Sequence, residues 1–192
     1  VLYKKISENF VKNNRTALHI GCHYGFKTKI LSKLFDTVHA FDFDNKINKF
    51  LKRNIKKFNL SNVEIHSFGL GDENKNVDAT DFIERKNIYG PLSNHVVENI
   101  NGPYFVKKLD DLNISNIDLM IIDTEGYELK VLNGSINTIK QYYPAIILEV
   151  HKKKDLTSRY GYNKFENIKF LTDIGYKARG YINREDILLV YE

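Results

Sequence analysis

Short apolar runs alternate along this chain with longer stretches whose apolar residues recur every three or four positions. The runs predict β-strands and the longer stretches predict amphipathic helices, because side chains repeat with period two on a strand and about 3.6 on a helix. Strands are predicted at Ala17–Ile20, Val38–Phe41, Val63–Phe68, Tyr104–Lys107, Ile117–Ile122, Pro144–Val150, Tyr176–Ile182 and Ile187–Tyr191. This alternation is typical of parallel βα units, and the last two strands are close enough to pair as an antiparallel hairpin.

Four apolar stripes at helical spacing lie between these strands. They are Phe26, Ile30, Leu31, Leu34 and Phe35; Ile47, Phe50, Leu51, Ile55 and Phe58; Leu129, Leu132, Ile136 and Ile139; and Phe165, Ile168, Leu171 and Ile174. Gly175 is predicted to cap the last helix. Residues 72–102 show no strong period, and we expect a long excursion over the active edge of the sheet rather than a linker. Ile117–Ile122 is almost entirely apolar, as a central strand buried on both faces should be.

A glycine turn followed by a strand that ends in a carboxylate is the strongest functional signal. Gly21 breaks the first apolar run, Gly25 follows four residues later, and Asp42 ends the next predicted strand. Such a turn allows close approach to a nucleoside cofactor, and the carboxylate can accept hydrogen bonds from both ribose hydroxyls. A dinucleotide site needs G-x-G-x-x-G, but its second glycine is replaced here by His23. The spacing therefore favours a cofactor without phosphate, such as S-adenosylmethionine, with its ribose on Asp42.

The carboxyl ends of two later strands carry an unusual number of titratable residues. Asp123 ends a buried strand and is followed by Glu125 and Glu128, and the next strand ends at Glu149 with His151 two residues beyond. Burying carboxylates together is costly unless a cation, a donor or a proton compensates. We therefore predict Asp123, Glu149 and His151 as catalytic residues that deprotonate a substrate. The open alternative is that Asp123 and Glu149 bind Mg²⁺. Glu128 is interpreted as a helix cap.

Size and composition predict one globular domain spanning residues 1–192. The chain is 42% hydrophobic and 28% charged, and it has no apolar run long enough to span a membrane and no signal peptide. Its net charge of +5 permits an anionic partner, but the lysines are scattered and the clusters Lys52–Arg53, Lys56–Lys57 and Lys152–Lys154 are short. A single cysteine, Cys22, favours a cytoplasmic location. The absence of a membrane-length apolar run predicts no membrane partner. A first residue of Val1 rather than Met is compatible with one domain of a longer protein.

Taken together, the motifs resemble the FkbM-like family of S-adenosylmethionine-dependent methyltransferases. The matching segments are Leu18–Gly25, Ala40–Phe43, Leu109–Leu112, Ile122–Glu128, Val131–Gly134 and Ile147–Val150. The resemblance implies an α/β, Rossmann-like class I methyltransferase fold with a mostly parallel seven-stranded sheet and a C-terminal antiparallel hairpin. It also implies O-methylation of a hydroxyl on a sugar, glycan or similar small molecule. The predicted cofactor-binding residues are His19, Gly21, His23, Gly25, Asp42, Phe43, Gly69, Leu70 and Asp123.

Two positions depart from the family pattern. The family usually has an aspartate where this chain has His19 and an asparagine where it has His23. That aspartate helps to hold the methionine amino group, so a neutral histidine could replace it only in part. Two other functions therefore stay open: methylation of an RNA ribose, although nucleic acid is the less favoured partner, and a non-catalytic binding domain. Tyr89, His95 and Tyr104 are candidates for stacking against the acceptor.

Overall fold

The computed structural model describes residues 2–81, 94–150 and 156–192, and within them the chain builds two sheets. The main sheet has seven strands in the order β10-β11-β9-β8-β1-β2-β3. Its strands are β1 (Thr16–Ile20), β2 (Thr37–Phe41), β3 (Val63–His66), β8 (Ile117–Ile122), β9 (Ala145–Glu149), β10 (Tyr176–Tyr181) and β11 (Asp186–Tyr191). β9, β8, β1, β2 and β3 run parallel, whereas β11 is antiparallel to both of its neighbours. The predicted fold class and the C-terminal hairpin are confirmed.

Helices connect the parallel strands. They are α1 (Leu2–Phe10), α2 (Phe26–Leu31), α3 (Asn45–Lys57), α4 (Glu128–Asn133), α5 (Ile136–Tyr142) and α6 (Lys164–Asp173), with 3-10 turns at Leu109–Asp111 and Leu156–Tyr160. The single helix predicted through Leu129 and Ile139 is instead two helices, α4 and α5. The chain bends between them because Gly134 lies against the backbone of Gly71, where an added Cβ would overlap the carbonyl oxygen.

The predicted excursion at residues 72–102 contains regular structure that its sequence did not reveal. A second, four-stranded sheet has the order β4-β7-β5-β6, from β4 (Gly69–Leu70), β5 (Lys75–Asp81), β6 (Asn94–Glu98) and β7 (Tyr104–Lys107). Its buried residues include Gly69, Leu70, Val77, Val96 and Val106. The predicted strand Val63–Phe68 is accordingly too long, since β3 ends at His66 and the chain then enters this second sheet.

The core confirms the burial expected of a central strand. Every residue of β8 is buried, and its side chains alternate between two apolar clusters. Met120 and Ile122 pack with Phe41 on one face of the sheet, and Leu119 and Ile121 contribute to the cluster on the other. The sheet is therefore covered on both faces, which leaves the strand ends as the place where polar side chains collect.

Two further expectations can be compared with the helices. Gly175 follows α6 with φ +99°, the left-handed conformation of a helix C-cap, as predicted. The basic residues Lys52, Arg53, Lys56 and Lys57 lie on the exposed face of α3. Within the described ranges, no helix is both long and apolar enough to cross a membrane.

Candidate active site

A cavity of about 290 Å³ opens at the carboxyl ends of the parallel strands. Residues at or just beyond the ends of β1, β2, β8 and β9, together with β4, contribute to its wall. The apolar part of the wall consists of Ile20, Phe41, Phe43, Ile47, Leu70 and Val96. Five carboxyl side chains also line the cavity, namely Asp42, Asp44, Asp123, Glu125 and Glu149. An apolar wall that carries a few acids suits a ligand with one flat apolar part and one or more cationic or hydroxyl groups.

The glycine turn after β1 has the conformation that the sequence predicts, but Gly21 lacks a side chain for a different reason. Gly21 and Gly25 have φ values of +77° and +84°, a region that favours glycine. A Cβ on Gly21 would overlap the carbonyl oxygen of Asp123. The space beside Gly21 is therefore occupied by the backbone that follows β8 rather than by a ligand. Gly25 does not line the cavity, and its added Cβ would approach Leu51 at 2.6 Å. Both glycines thus set the backbone shape of the site.

The carboxylate of Asp42 is tied to the backbone around it. Its Oδ2 accepts a hydrogen bond from the backbone N–H of His23 at 3.0 Å, and its Oδ1 accepts one from that of Asp44 at 3.0 Å. Burial raises the pKa of Asp42 to about 6, and the nearby Asp44 adds to the rise, while the two N–H donors oppose it. Asp42 therefore joins the glycine turn to the start of α3 and still contributes to the cavity wall.

The carboxylate of Asp123 is paired with a lysine that the sequence analysis did not identify. Lys27 Nζ lies 2.8 Å from Asp123 Oδ2 and 3.4 Å from Asp186 Oδ2. Burial raises the pKa of Asp123, but the charge of Lys27 together with the hydrogen bonds from Glu149 and Lys27 outweighs burial and holds that pKa below its usual value. Burial likewise opposes the charge of Lys27, yet the two aspartates raise its pKa above the usual range. Asp123 is therefore ionised at neutral pH.

Glu149 carries the proton of the acid pair. Its side chain is buried, and this burial together with the negative charge of Asp123 raises the pKa of Glu149 far above its usual value. The protonated carboxyl donates a hydrogen bond to Asp123. Lys27 and one proton thus offset the cost of burying the two acids together. A cation and a proton are two of the three compensating groups that a buried acid pair can have.

His19 lies behind the cavity and is neutral. It is buried in β1, and its Nδ1 is 2.7 Å from Thr28 Oγ1. Burial, with a smaller contribution from the charge of Lys27, lowers the pKa of His19 to about 3. Because the ring carries no charge at neutral pH, it provides neither a cation nor an anion to a ligand in the cavity.

Glu128 lies in the first turn of α4, as the sequence indicated, but its side chain closes the loop after β8, and among the described residues no side-chain hydrogen bond caps the helix. One oxygen of Glu128 accepts hydrogen bonds from the Thr124 N–H, the Thr124 hydroxyl and the Gly126 N–H, at 3.1, 3.1 and 3.0 Å. These bonds hold Glu125 in a left-handed conformation, with φ +55°, on the wall of the cavity. Glu128 itself is buried and does not line the cavity.

The family whose description reads "Methyltransferase FkbM domain" matches residues 19–181. This range includes every residue of the site described above except Asp186. The chain belongs to the FkbM methyltransferase family. The resemblance seen in the sequence is thereby confirmed, and with it membership of a family of S-adenosylmethionine-dependent methyltransferases. No curated protein matches the chain significantly.

Solved structures agree on the fold. Methyltransferase FkbM from Methylobacillus flagellatus is 15% identical with a TM-score of 0.59, and the match covers 93% of this chain but only 44% of that one. A Streptococcus mutans protein crystallised in complex with SAH is 15% identical with a TM-score of 0.55 and matches over 98% and 93% of the two chains. An rRNA methylase from Streptococcus thermophilus is 12% identical with a TM-score of 0.59 over 100% and 95%. At these identities the likeness shows the class I methyltransferase fold alone.

Most of the predicted site residues of this FkbM domain meet in the cavity at the carboxyl ends of the strands. Those that line it are Gly21, His23, Asp42, Phe43, Gly69, Leu70, Asp123 and Glu149. His19 and Gly25 do not line it. The ring of Tyr104 packs edge-on against Phe43 at 5.4 Å, beside the cavity. His151, Tyr89 and the side chain of His95 lie outside the described residues, as do the lysines at 152–154.

The Mg²⁺ site at Asp123 and Glu149 stays a prediction. Within the described ranges, the group of three side chains that are close enough to share an ion is His39, Glu64 and His66, at the edge of the main sheet. Lys27 and the proton on Glu149 already balance the charge that had motivated a metal at the acid pair. The neutral His19 provides no ionised group at its position, whereas Asp123 is an ionised residue close to the glycine turn.

Proposed function

We propose that the chain is an S-adenosylmethionine-dependent O-methyltransferase whose acceptor is a hydroxyl of a sugar, glycan or similar small molecule. The observation that carries this proposal is the placement of Asp42 and Asp123 on one cavity, at the ends of strands separated only by β1. Two strand spacings place the ends of these strands about 10 Å apart. One acid can then meet the ribose while the other meets the cationic end of the same extended cofactor.

The residues present fit this cofactor. Asp42 accepts hydrogen bonds from the ribose hydroxyls, and Phe43 and Leu70 supply apolar surface for the adenine ring. Asp123, ionised through Lys27, faces the methionine amino group and takes the place of the family's missing aspartate at position 19. The acids of the cavity favour a positively charged ligand although the chain as a whole has a net charge of +5.

In methyl transfer the protein has to position the acceptor oxygen and receive its proton. The bound cofactor would supply a methyl group already activated on a sulfonium, so no covalent enzyme intermediate is needed. Asp123, the ionised member of the acid pair, receives the hydroxyl proton while the new carbon–oxygen bond forms, because Glu149 already holds a proton. Insensitivity of the activity to chelation would remove the Mg²⁺ prediction.

The acceptor is assigned to a second cavity that adjoins the first. This cavity of about 410 Å³ is lined by Val96, Val97, Glu98, Lys130, Arg159 and Tyr160, and it shares Val96 with the cofactor cavity. Its size and mixed polar lining suit a small hydroxylated molecule. Because β6 supplies three of its residues, the second sheet would determine which acceptor is used.

Calorimetric titration with S-adenosylhomocysteine (SAH) tests the cofactor assignment. The wild-type chain is expected to bind it, and Asp42→Ala is expected to weaken binding by more than about tenfold, since a hydrogen bond to a charged group contributes roughly 1.5–3 kcal/mol. Asp36→Ala is the matched control, because Asp36 is exposed just before the opposite end of β2. Its affinity should equal that of the wild type.

Other outcomes favour the alternatives. A folded wild-type chain that binds no SAH would favour the non-catalytic binding domain. Unchanged affinity in a folded Asp42→Ala variant would remove the ribose assignment. A salt-dependent affinity for RNA, measured alongside, would favour an RNA acceptor over a small molecule.

A further inference from the structure

Three potential metal ligands meet on the outer strands of the main sheet, away from the cavity. His39 lies on β2, and Glu64 and His66 lie on β3, which is the last strand at that end of the described sheet. His39 is directly opposite Glu64 in the parallel register, and Glu64 and His66 are two residues apart. Because side chains alternate along a strand, all three project from the same face of the sheet. None of them lines the candidate active site.

The distances between their ligand atoms are close to those of a metal site. His39 Nδ1 lies 2.9 Å from His66 Nε2 and 3.5 Å from Glu64 Oε2, and the ligand atoms of all three residues lie within 4.8 Å of one another. In a tetrahedral zinc site with bonds of about 2.0–2.1 Å, neighbouring ligand atoms are roughly 3.3 Å apart. The two distances from His39 bracket that value, and the ligand atoms of Glu64 and His66 lie no more than 4.8 Å apart.

The surroundings prepare the two imidazoles for binding. The ring of Phe41 stacks on His66 at 4.3 Å with an interplanar angle of 11°, which fixes the ring plane. Burial lowers the pKa of both histidines, and that of His66 falls to about 4, so neither ring holds an extra proton at neutral pH. Glu64 supplies a negative charge from a side chain that is 63% exposed, which leaves an approach from solvent. Lys107 is the nearby cation that opposes binding.

We propose that His39, Glu64 and His66 form a binding site for a divalent transition-metal ion of the zinc class. Imidazole and carboxylate ligands suit Zn²⁺, and three protein ligands leave a fourth position for water or for a donor from another molecule. The ion would join the outermost strand β3 to β2. The backbone N–H of Asp42 donates to the carbonyl of His66 at 3.2 Å, so this connection lies next to the proposed ribose-binding residue.

Without an ion, His39 and His66 share only a hydrogen bond between two neutral rings. A metal titration separates this arrangement from a metal site. The whole chain is treated with a chelator, dialysed, and titrated calorimetrically with Zn²⁺, and Co²⁺ is added separately to record its visible spectrum. We expect one equivalent of Zn²⁺ to bind and Co²⁺ to give the absorption band of a four-coordinate site. Glu64→Gln and His66→Gln should each weaken Zn²⁺ binding by at least about tenfold, because even residues that only support a metal ligand contribute 10–100-fold.

Glu8→Gln is the matched control, since Glu8 is an exposed carboxylate on α1 whose ion-pair partner is Lys4. Its Zn²⁺ affinity should equal that of the wild type. The proposal is wrong if the wild-type chain binds no Zn²⁺, or if Glu64→Gln binds it as tightly as Glu8→Gln does. Because Glu64 is exposed, Glu64→Gln decides the question even if His66→Gln fails to fold.

Discussion

Asp42 and Asp123 occupy equivalent positions, each at the carboxyl end of a parallel strand next to β1, but their charges are balanced in opposite ways. Asp42 has only backbone N–H donors and a second acid, Asp44, beside it, and its pKa is raised to about 6. Asp123 has Lys27 at 2.8 Å and a pKa below its usual value. The compensating groups rather than the residue type therefore determine the charge state of each acid, and this is the basis on which we propose the ribose hydroxyls as the ligand of Asp42 and a cationic group as the ligand of Asp123.

The largest effect is expected from removing the lysine at the Asp123 end. Lys27→Met leaves two aspartates without their common cation, and loss of one partner of a buried ion pair costs about 3–5 kcal/mol. Because the Lys27 side chain is 25% exposed, we expect the free energy of unfolding to fall by roughly 2–3 kcal/mol. Urea denaturation at neutral pH measures this loss.

Lys4→Met provides the control for that measurement. The ion pair between Lys4 and Glu8 is exposed, with a separation of 3.7 Å, and its loss should change the free energy of unfolding by less than about 1 kcal/mol. An equal effect of the two substitutions would mean that Asp123 is no better stabilised than a surface acid, and the contrast with Asp42 would be lost.

An intermediate effect is expected when the charge at the Asp42 end is titrated. With a pKa of about 6, Asp42 is mostly ionised at pH 7 and mostly protonated at pH 5. Since the ionised form accepts the ribose hydroxyls better, SAH affinity should fall by up to about tenfold across this range. Calorimetry at several pH values measures it, and Asp42→Asn should flatten the curve. A wild-type profile that is already flat would contradict the raised pKa.

The same pKa has a separate consequence for stability. A carboxyl whose pKa is raised in the folded state holds its proton more tightly there than in the unfolded chain. Its contribution to the free energy of unfolding is therefore fully present below about pH 3.8 and is lost as the pH rises through about 6. Ligand affinity and this part of the stability thus change in opposite directions between about pH 5 and pH 6, where their ranges overlap.

The smallest effect is expected at Glu149. Because Glu149 is already protonated, Glu149→Gln keeps a neutral side chain of similar shape that can still donate to Asp123. The free energy of unfolding at neutral pH should change by less than about 0.5 kcal/mol. Asp123→Asn, which removes the partner of Lys27, should cost clearly more. Should Glu149→Gln instead be markedly stabilising, Glu149 would have to be ionised in the wild type, and the assignment of the proton would be wrong.

Sequence reasoning identified those site residues that lie at the carboxyl ends of the predicted strands. Asp42, Asp123 and Glu149 end strands that are visible as apolar runs, and parallel strands bring their carboxyl ends to one edge. Asp186 was missed because it begins β11, whose first residue reaches the same edge only because that strand is antiparallel to β9. Lys27 was missed since its orientation depends on how the short helix α2 packs.

Two other errors come from long-range packing. The second sheet was missed because Val77 and Val96 are isolated apolar residues in polar surroundings, and their burial depends on tertiary contacts rather than on a local period. Gly21 was identified correctly but for an incomplete reason, since the atom that a side chain would meet belongs to Asp123, about a hundred residues further along the chain.

The bond between Lys27 and Asp186 has a consequence for how the protein matures during synthesis. Its partners are 159 residues apart, and β11 is made after every other strand of the main sheet. A growing chain can therefore form the glycine turn early but has only one of the two carboxylates around Lys27 until β11 inserts between β9 and β10. Truncation or proteolysis before Asp186 would leave a fragment that contains all of the residues that line the cavity but has an incomplete charge balance around Lys27. The order of assembly on the ribosome thus makes the complete site one of the last parts of the molecule to form.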